Sequence, residues 1–176
     1  DPSVAQSNLS LPNHLVVEGD KFGYDYDINI DKYSTFGQLE WKGSFFDAYL
    51  ALSLSGTQFW RTGNVQNGLF PENSQGDSEK HIFTNPGAKS GVLLKLTGRH
   101  MLQANVGYLS RAPLTRNAFI SPRTRNEVVP NLKSETLQTA DFSYLLRYPN
   151  IKLRLTGYYT TLEDMTWSRS FYHDEL

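Results

Sequence analysis

Residues 33–57 read YSTFGQLEWKGSFFDAYLALSLSGT. From Tyr33 to Trp41 the odd positions Tyr33, Thr35, Gly37, Leu39 and Trp41 form one side, and Ser34, Gln38 and Glu40 fall on the other with Phe36. Beyond Gly43-Ser44 the even positions Phe46, Ala48, Leu50, Leu52, Leu54 and Gly56 alternate with Asp47, Tyr49, Ser53, Ser55 and Thr57. A period of two is the signature of a strand with one apolar face, and two such runs separated by turn residues predict a β-hairpin.

The same plan recurs twice. Ala88, Ser90, Val92, Leu94 and Leu96 precede a turn at Gly98-Arg99, and Leu102, Ala104, Val106 and Tyr108 follow it. Ala140, Phe142, Tyr144, Leu146 and Tyr148 lead to Pro149-Asn150, after which Ile151, Leu153, Leu155, Gly157 and Tyr159 return. None of the six apolar faces carries an Asp, Glu, Lys or Arg. Upstream, Phe22 to Ile30 alternates in the even phase and slips by one before Tyr33. A slip of one turns every side chain over, so a bulge or bend is expected near Asp31-Lys32, within one long strand.

Composition narrows the class. The chain has 176 residues, no Cys, and Lys+Arg 17 against Asp+Glu 18. Without Cys there is no disulfide framework, thiolate metal site or Cys nucleophile. Balanced charge argues against nucleic acid as a partner, which selects a clustered basic excess. The longest apolar run, Ala48 to Leu52, is far shorter than the roughly 20 residues of a spanning helix. A membrane strand, in contrast, needs only about 9–11 residues and shows its lipid face at alternate positions.

Connection lengths favour such strands. The tight turns lie near 43–44, 98–99 and 149–150, whereas Arg61 to Gly87 and Arg111 to Glu135 form long loops. In an up-and-down meander these fall at opposite ends, as short periplasmic turns and long extracellular loops do in outer-membrane barrels. Aromatics gather toward the strand ends (Tyr33, Trp41, Phe46, Tyr108, Tyr148, Tyr159). The opposite face carries Asp47, Lys89, Lys95, Asp141, Arg147, Lys152 and Arg154, too charged for a sandwich interior and suited to a hydrated lumen. The expected fold is therefore all-β, an antiparallel up-and-down meander forming a segment of a large transmembrane β-barrel. Residues 1–21 read as an irregular extracellular lead-in, 22–172 as barrel and 173–176 as a truncated end.

Two loop signatures add a resemblance. Tyr108-Leu109-Ser110-Arg111-Ala112-Pro113 and Val129-Pro130-Asn131-Leu132-Lys133-Ser134-Glu135 resemble the Arg-Ala-Pro loop and the later Asn-Pro-x-Leu-x-Pro-Glu signature of TonB-dependent outer-membrane receptors, with Ser134 standing where Pro is usual. Gly19 to Tyr26 and Phe59 to Gly63 resemble receptors of this kind in which a carboxypeptidase-regulatory-like module precedes the plug. The resemblance spans Gly19 to Tyr172. It implies an excerpt, about seven strands, of a 22-stranded barrel closed by an N-terminal plug. It also implies active uptake of a scarce nutrient (glycan, peptide, siderophore or other chelate) driven by the TonB complex. The implied partners are outer-membrane lipid, the plug, TonB and a surface lipoprotein; no cofactor is implied.

Candidate ligand groups lie in the long loops: Trp60, Arg61, Asn64 and Asn67 in the first, and Arg116, Asn117, Arg123, Arg125 and Asn126 in the second. Aromatic and amide groups suit sugars, and arginines suit carboxylates or anionic chelates. Trp167 and Arg169 are expected on the extension of the last strand. The motif residues Arg111, Ala112, Pro113, Leu132 and Glu135 read as structural: Pro113 ends ladder pairing, Arg111 caps carbonyls, and Glu135 starts a strand and pairs with an arginine of its loop. Catalysis finds no constellation. His14, His81, His100 and His173 are scattered without metal-ligand spacing, and Glu163 and Asp164, being adjacent, point to opposite faces. The terminal His-Asp-Glu-Leu spells a retrieval signal that nothing else in the chain supports. The alternative to a barrel is a carbohydrate-binding β-sandwich, in which Leu50, Leu94 and Phe142 would share one dry core.

Overall fold

The structure, a computed structural model, describes residues 6–167. Its strands are β1 (Tyr26–Lys42), β2 (Phe46–Gly63), β3 (Gly76–Asp77), β4 (His81–Lys95), β5 (His100–Arg111), β6 (Glu135–Arg147) and β7 (Lys152–Glu163), with one helical turn, α1 (Thr115–Ala118). The six long strands form one antiparallel sheet in the order β1-β2-β4-β5-β6-β7, and β3 pairs with the end of β2. The fold is thus an all-β meander. Among the described residues no helix is long and apolar enough to cross a membrane, which says nothing about strands.

Register assembles the six apolar faces into one. Leu39 is paired with Leu50, Leu50 with Ser90, Ser90 with Val106, Val106 with Ala140 and Ala140 with Tyr159. Because partners share a side of the sheet, these residues form a single row. The neighbouring row runs Trp41, Ala48, Val92, Ala104, Phe142 and Gly157. Tyr33 and Leu39 are 74% and 75% exposed, and Leu50, Leu94 and Phe142 are each more than 40% exposed. Among the described residues no second sheet covers them, so the shared dry core of a sandwich is not formed. A contiguous uncovered apolar face of this extent marks contact with something other than water.

The apolar band runs obliquely across the sheet. Tyr33, at its upper edge on β1, stands level with Gly56 and Thr84; on β5 the edge residue Tyr108 is level with Gly37, and on β7 Tyr159 is level with Leu39. The edge therefore slides from position 33 to position 39 over the steps between β1 and β7. Roughly six residues of about 3.3 Å, set against about five strand spacings of about 4.8 Å, tilt the strands by about 40° from the normal to the band. His100 lies near the opposite edge, its Nδ1 2.6 Å from the Tyr144 hydroxyl.

The other side is polar. Glu40, Tyr49, Gly91, Asn105, Asp141 and Tyr158 occupy one row. Within it the Tyr49 hydroxyl donates to Asn105 Oδ1 at 3.3 Å, and Asn105 Nδ2 donates to Asp141 Oδ1 at 2.8 Å. Gly91 makes room for this chain of bonds, since a Cβ there would collide with Asn105 Oδ1 and the Tyr49 ring. Nearby, Lys95 Nζ meets Asp47 Oδ1 at 2.6 Å and the Gly43 carbonyl at 2.9 Å.

The expected bulge is absent. Pairing between β1 and β2 is continuous from Tyr26↔Gly63 to Lys42↔Asp47. What changes near Asp31 is the surroundings of each face. Below it the odd residues of β1 are apolar and uncovered; above it the same side carries Asp31, Asn29 and Asp27, while Ile28 on the other side packs into a buried cluster with Phe59 and Phe83. The alternation inverts because polarity swaps sides, with the backbone in register throughout. For the same reason the first long loop is shorter than its sequence suggests: Arg61–Gly63 and His81–Gly87 belong to β2 and β4, leaving residues 64–80 as the connection.

The continuous register predicts that, in this cysteine-free stretch, Asp31→Cys and Gln58→Cys cross-link oxidatively faster than Asp31→Cys and Phe59→Cys. A bulge at Asp31-Lys32 would reverse that order.

Candidate functional site

At one end of the sheet the connection 64–80, the connection 112–134, the lead-in 6–25 and residues 164–167 gather over the upper strands. Their anchor is the inverted part of the sheet. Phe59, fully buried, points inward from β2 with Phe83 beside it at 5.5 Å between ring centroids. The connection 112–134 folds back across this surface. It runs through α1, makes a bridge between Phe119 and Val128, and seats Phe119 edge-on against Phe59 at 6.0 Å with His81 alongside. Ala118, Val128 and Leu132 complete the cluster. Burying each large side chain is worth about 1.5–3 kcal/mol and contributes to holding this connection against the sheet.

Arg61, expected among the ligand groups, is spent inside. It is 1% exposed; Nε donates to the Pro122 carbonyl at 2.6 Å, Nη1 donates to the Ser74 carbonyl at 2.8 Å and to Asn126 Oδ1, and the guanidinium lies over the Tyr26 ring at 5.3 Å. One side chain thus ties both long connections to β1. Asn126 extends the tie, its backbone N–H donating to the Asn73 carbonyl at 2.8 Å.

The other expected residues divide by environment. Asn67 is buried in a turn, where its Oδ1 accepts from Leu69 N–H at 3.0 Å. Asn64 donates to Asp27 Oδ2 at 3.0 Å. Trp60 shares the outer side with Gln58, and the Lys80 ammonium sits over its ring at 4.4 Å. Arg125 lies over Phe70 at 4.7 Å and pairs with Glu127 at 3.1 Å, and Asn117 donates to the Thr166 carbonyl at 3.0 Å. Arg116 and Arg123 remain exposed, the latter over Tyr24 at 4.8 Å.

The motif residues form a clasp. Arg111 and Glu135 face each other across β5 and β6, with Nη2 2.7 Å and Nε 2.8 Å from Glu135 Oε2; Glu135 Oε1 also accepts from Thr166 N–H at 3.3 Å. Arg111 therefore meets a carboxylate instead of capping carbonyls. Pro113 is buried and Ala112 half-buried just past the last paired residue of β5. Exposed Trp167 borders a recess of about 310 Å3 between residues 129–133 and 164–167. Arg169, the residues beyond it and His173 lie outside the described residues.

In the lead-in, Asp20 sits below the usual carboxylate range because the Val17 N–H, then His14, bind its ionised form. Asp25 is lowered chiefly by Lys21, whose own pKa that pair raises. Each tie is complete above the ordinary carboxylate pKa and is lost as pH falls through the lowered value. Among the described residues no cluster of His, Asp or Glu could hold a metal ion. Phe59, Phe83, Phe119 and His81 were not expected in the site. Their one signal in the sequence is that Phe59 and Phe83 stand out of phase with the apolar band. No protein-family profile, curated protein or solved structure matches the chain.

Arg61→Ala strands the Pro122 and Ser74 carbonyls, at roughly 1–3 kcal/mol for each buried group left unpaired. It should open residues 64–80 and 112–134 to limited proteolysis at least tenfold faster while the strands stay protected. Arg61→Lys, which cannot reach all three acceptors, should recover only part of that protection.

Proposed function

We propose that the chain is part of the β-barrel of an outer-membrane receptor and transporter of the TonB-dependent kind, which binds a scarce nutrient outside the cell and imports it actively. The observation that carries this reading is the outer face: one charge-free apolar band, edged by aromatics and crossing the strands at about 40°. That slant falls within the 35–45° tilt of membrane barrels, and single-sheet apolar faces flanked by aromatic girdles are their hallmark. The polar inner face is the corresponding lumen wall. The open edges of β1 and β7 require further strands on either side, since uncovered edges are aggregation-prone.

On this reading the long connections lie outside the cell, and the inward-folded 112–134 segment narrows the mouth from one side. The Arg61 tie and the Arg111–Glu135 clasp hold it in place, so that ligand meets a preformed surface. Arg116 and Arg123, the exposed arginines among the loop candidates, are the ligand contacts this geometry favours. A plug from elsewhere in the same full-length protein closes the lumen and links it to the TonB complex; lipid surrounds the band, and a surface lipoprotein caps the mouth. The chain acts by binding and conduction, without a catalytic step.

Opposite behaviour at adjacent positions tests the assignment of faces. Leu52→Arg places a charge in the apolar band, costing about 2–4 kcal/mol at a bilayer midplane, whereas Ser53→Arg points into the lumen and costs little. Expressed in the full-length protein, the first should cut recovery in outer-membrane fractions several-fold and the second should not. Equal recovery would remove the barrel reading.

A further inference from the structure

One row of the polar inner face is apolar. Phe36 is paired with Ser53, Ser53 with Gly87, Gly87 with Leu109, Leu109 with Leu137 and Leu137 with Leu162. Phe36 stands 83% exposed and Leu162 56% exposed on this side. In the middle the row narrows to Ser53 and Gly87, leaving a recess of about 230 Å3 walled by Phe36 and Leu109. Such a recess accepts a ring-sized apolar group. An exposed phenyl in a wall that elsewhere presents Gln, Asn, Lys and Asp loses free energy to water unless something covers it.

The neighbouring row supplies the polar half. Lys89, on the same side of β4 two residues beyond Gly87, lines the recess together with Gln38. Its stem lies beside Gly107, and among the described residues its ammonium has no hydrogen-bond or ion-pair partner. Over the polar side as a whole, cations outnumber carboxylates. Lys32, Arg147, Lys152 and Arg154 lack a carboxylate partner among the described residues, whereas Asp47 is committed to Lys95, Glu40 lies 3.8 Å from Lys42, and Asp141, bound by the Asn105 amide, is the carboxylate without a cation. Arg147 and Lys152 stand directly opposite each other, a like-charge pair that favours an anion nearby.

We propose that this recess is a binding subsite on the lumen wall for an amphiphilic anion: an apolar ring seated on Ser53 between Phe36 and Leu109, with its acid group on the Lys89 ammonium. The proposal rests on the barrel reading and adds to it the class of solute, an organic acid with an aromatic or cyclic apolar part. Arginines at the mouth and the excess of cations along the wall then bias the path toward such a solute.

The test uses the full-length protein in detergent and 4-fluorophenylacetate as probe, followed by fluorine NMR, with its amide as the uncharged control. The acid should bind at least tenfold tighter than the amide. Lys89→Gln should abolish that difference, Phe36→Ala should weaken both probes about tenfold, and Ser53→Leu, which fills the recess, should remove binding of both. Equal affinity for acid and amide, or indifference to Phe36→Ala and Ser53→Leu, would overturn the subsite. Heat-modifiable gel migration of the same samples separates the two levels. A heat-modifiable protein that fails the probe tests refutes the subsite and leaves the barrel. A protein that never shows the shift refutes the barrel and the subsite with it.

Discussion

Everything above the apolar band depends on the unbroken ladder between β1 and β2. A sheet that keeps its register cannot choose side by side where its side chains go, because each residue's face follows from the parity of its position. The sequence must change chemistry where the surroundings change. It does so at Asp31, opposite Gln58, where the outer side turns from Tyr33 and Leu54 to Asp31, Asn29 and Trp60, and the inner side turns from Ser34 and Ser55 to Ile28 and Phe59. One backbone continuity thus joins a band that faces outward with a small core that faces inward.

That inner core gives the long connections something to fold onto. Surface loops ordinarily run over a domain because their backbone polar groups need water. Here the 112–134 connection packs on the inner side, and its polar groups are met by Arg61, by Asn73 and by its own Phe119–Val128 bridge. Among the described residues the buried guanidinium finds no carboxylate; carbonyls, an amide and an aromatic face surround it. In the proposed barrel this arrangement fixes the shape of the mouth, so selectivity there would come from a rigid surface with a few exposed arginines.

Much of this was legible in residues 33–57 and in their two later counterparts. The hairpins are local, their turns are short, and a two-residue period over nine or more positions has few competing explanations. The inverted segment misled for a physical reason: a phase change in a strand has two causes, a bulge or a change of environment, and alternation alone cannot separate them. Arg61 was legible as important and illegible in role. Its partners Ser74, Pro122 and Asn126 are 13 to 65 residues away along the chain, and only the fold brings them together. Arg111 and Glu135, by contrast, flank one connection, ending one strand and beginning the strand paired with it, which made their meeting readable.

Thiol labelling of the full-length protein in the outer-membrane fraction, where the proposed barrel would reside, measures the central claim, that polarity swaps sides at Asp31 with the register intact. Single cysteines at Leu39, Asp31, Leu52 and Gln58 all lie on the outer side of β1 and β2. With a membrane-impermeant maleimide, Asp31→Cys and Gln58→Cys should label readily, and Leu39→Cys and Leu52→Cys should stay unlabelled until detergent strips the lipid. Rapid labelling of Leu39→Cys and Leu52→Cys in the intact membrane, at rates matching the other two, would contradict the account.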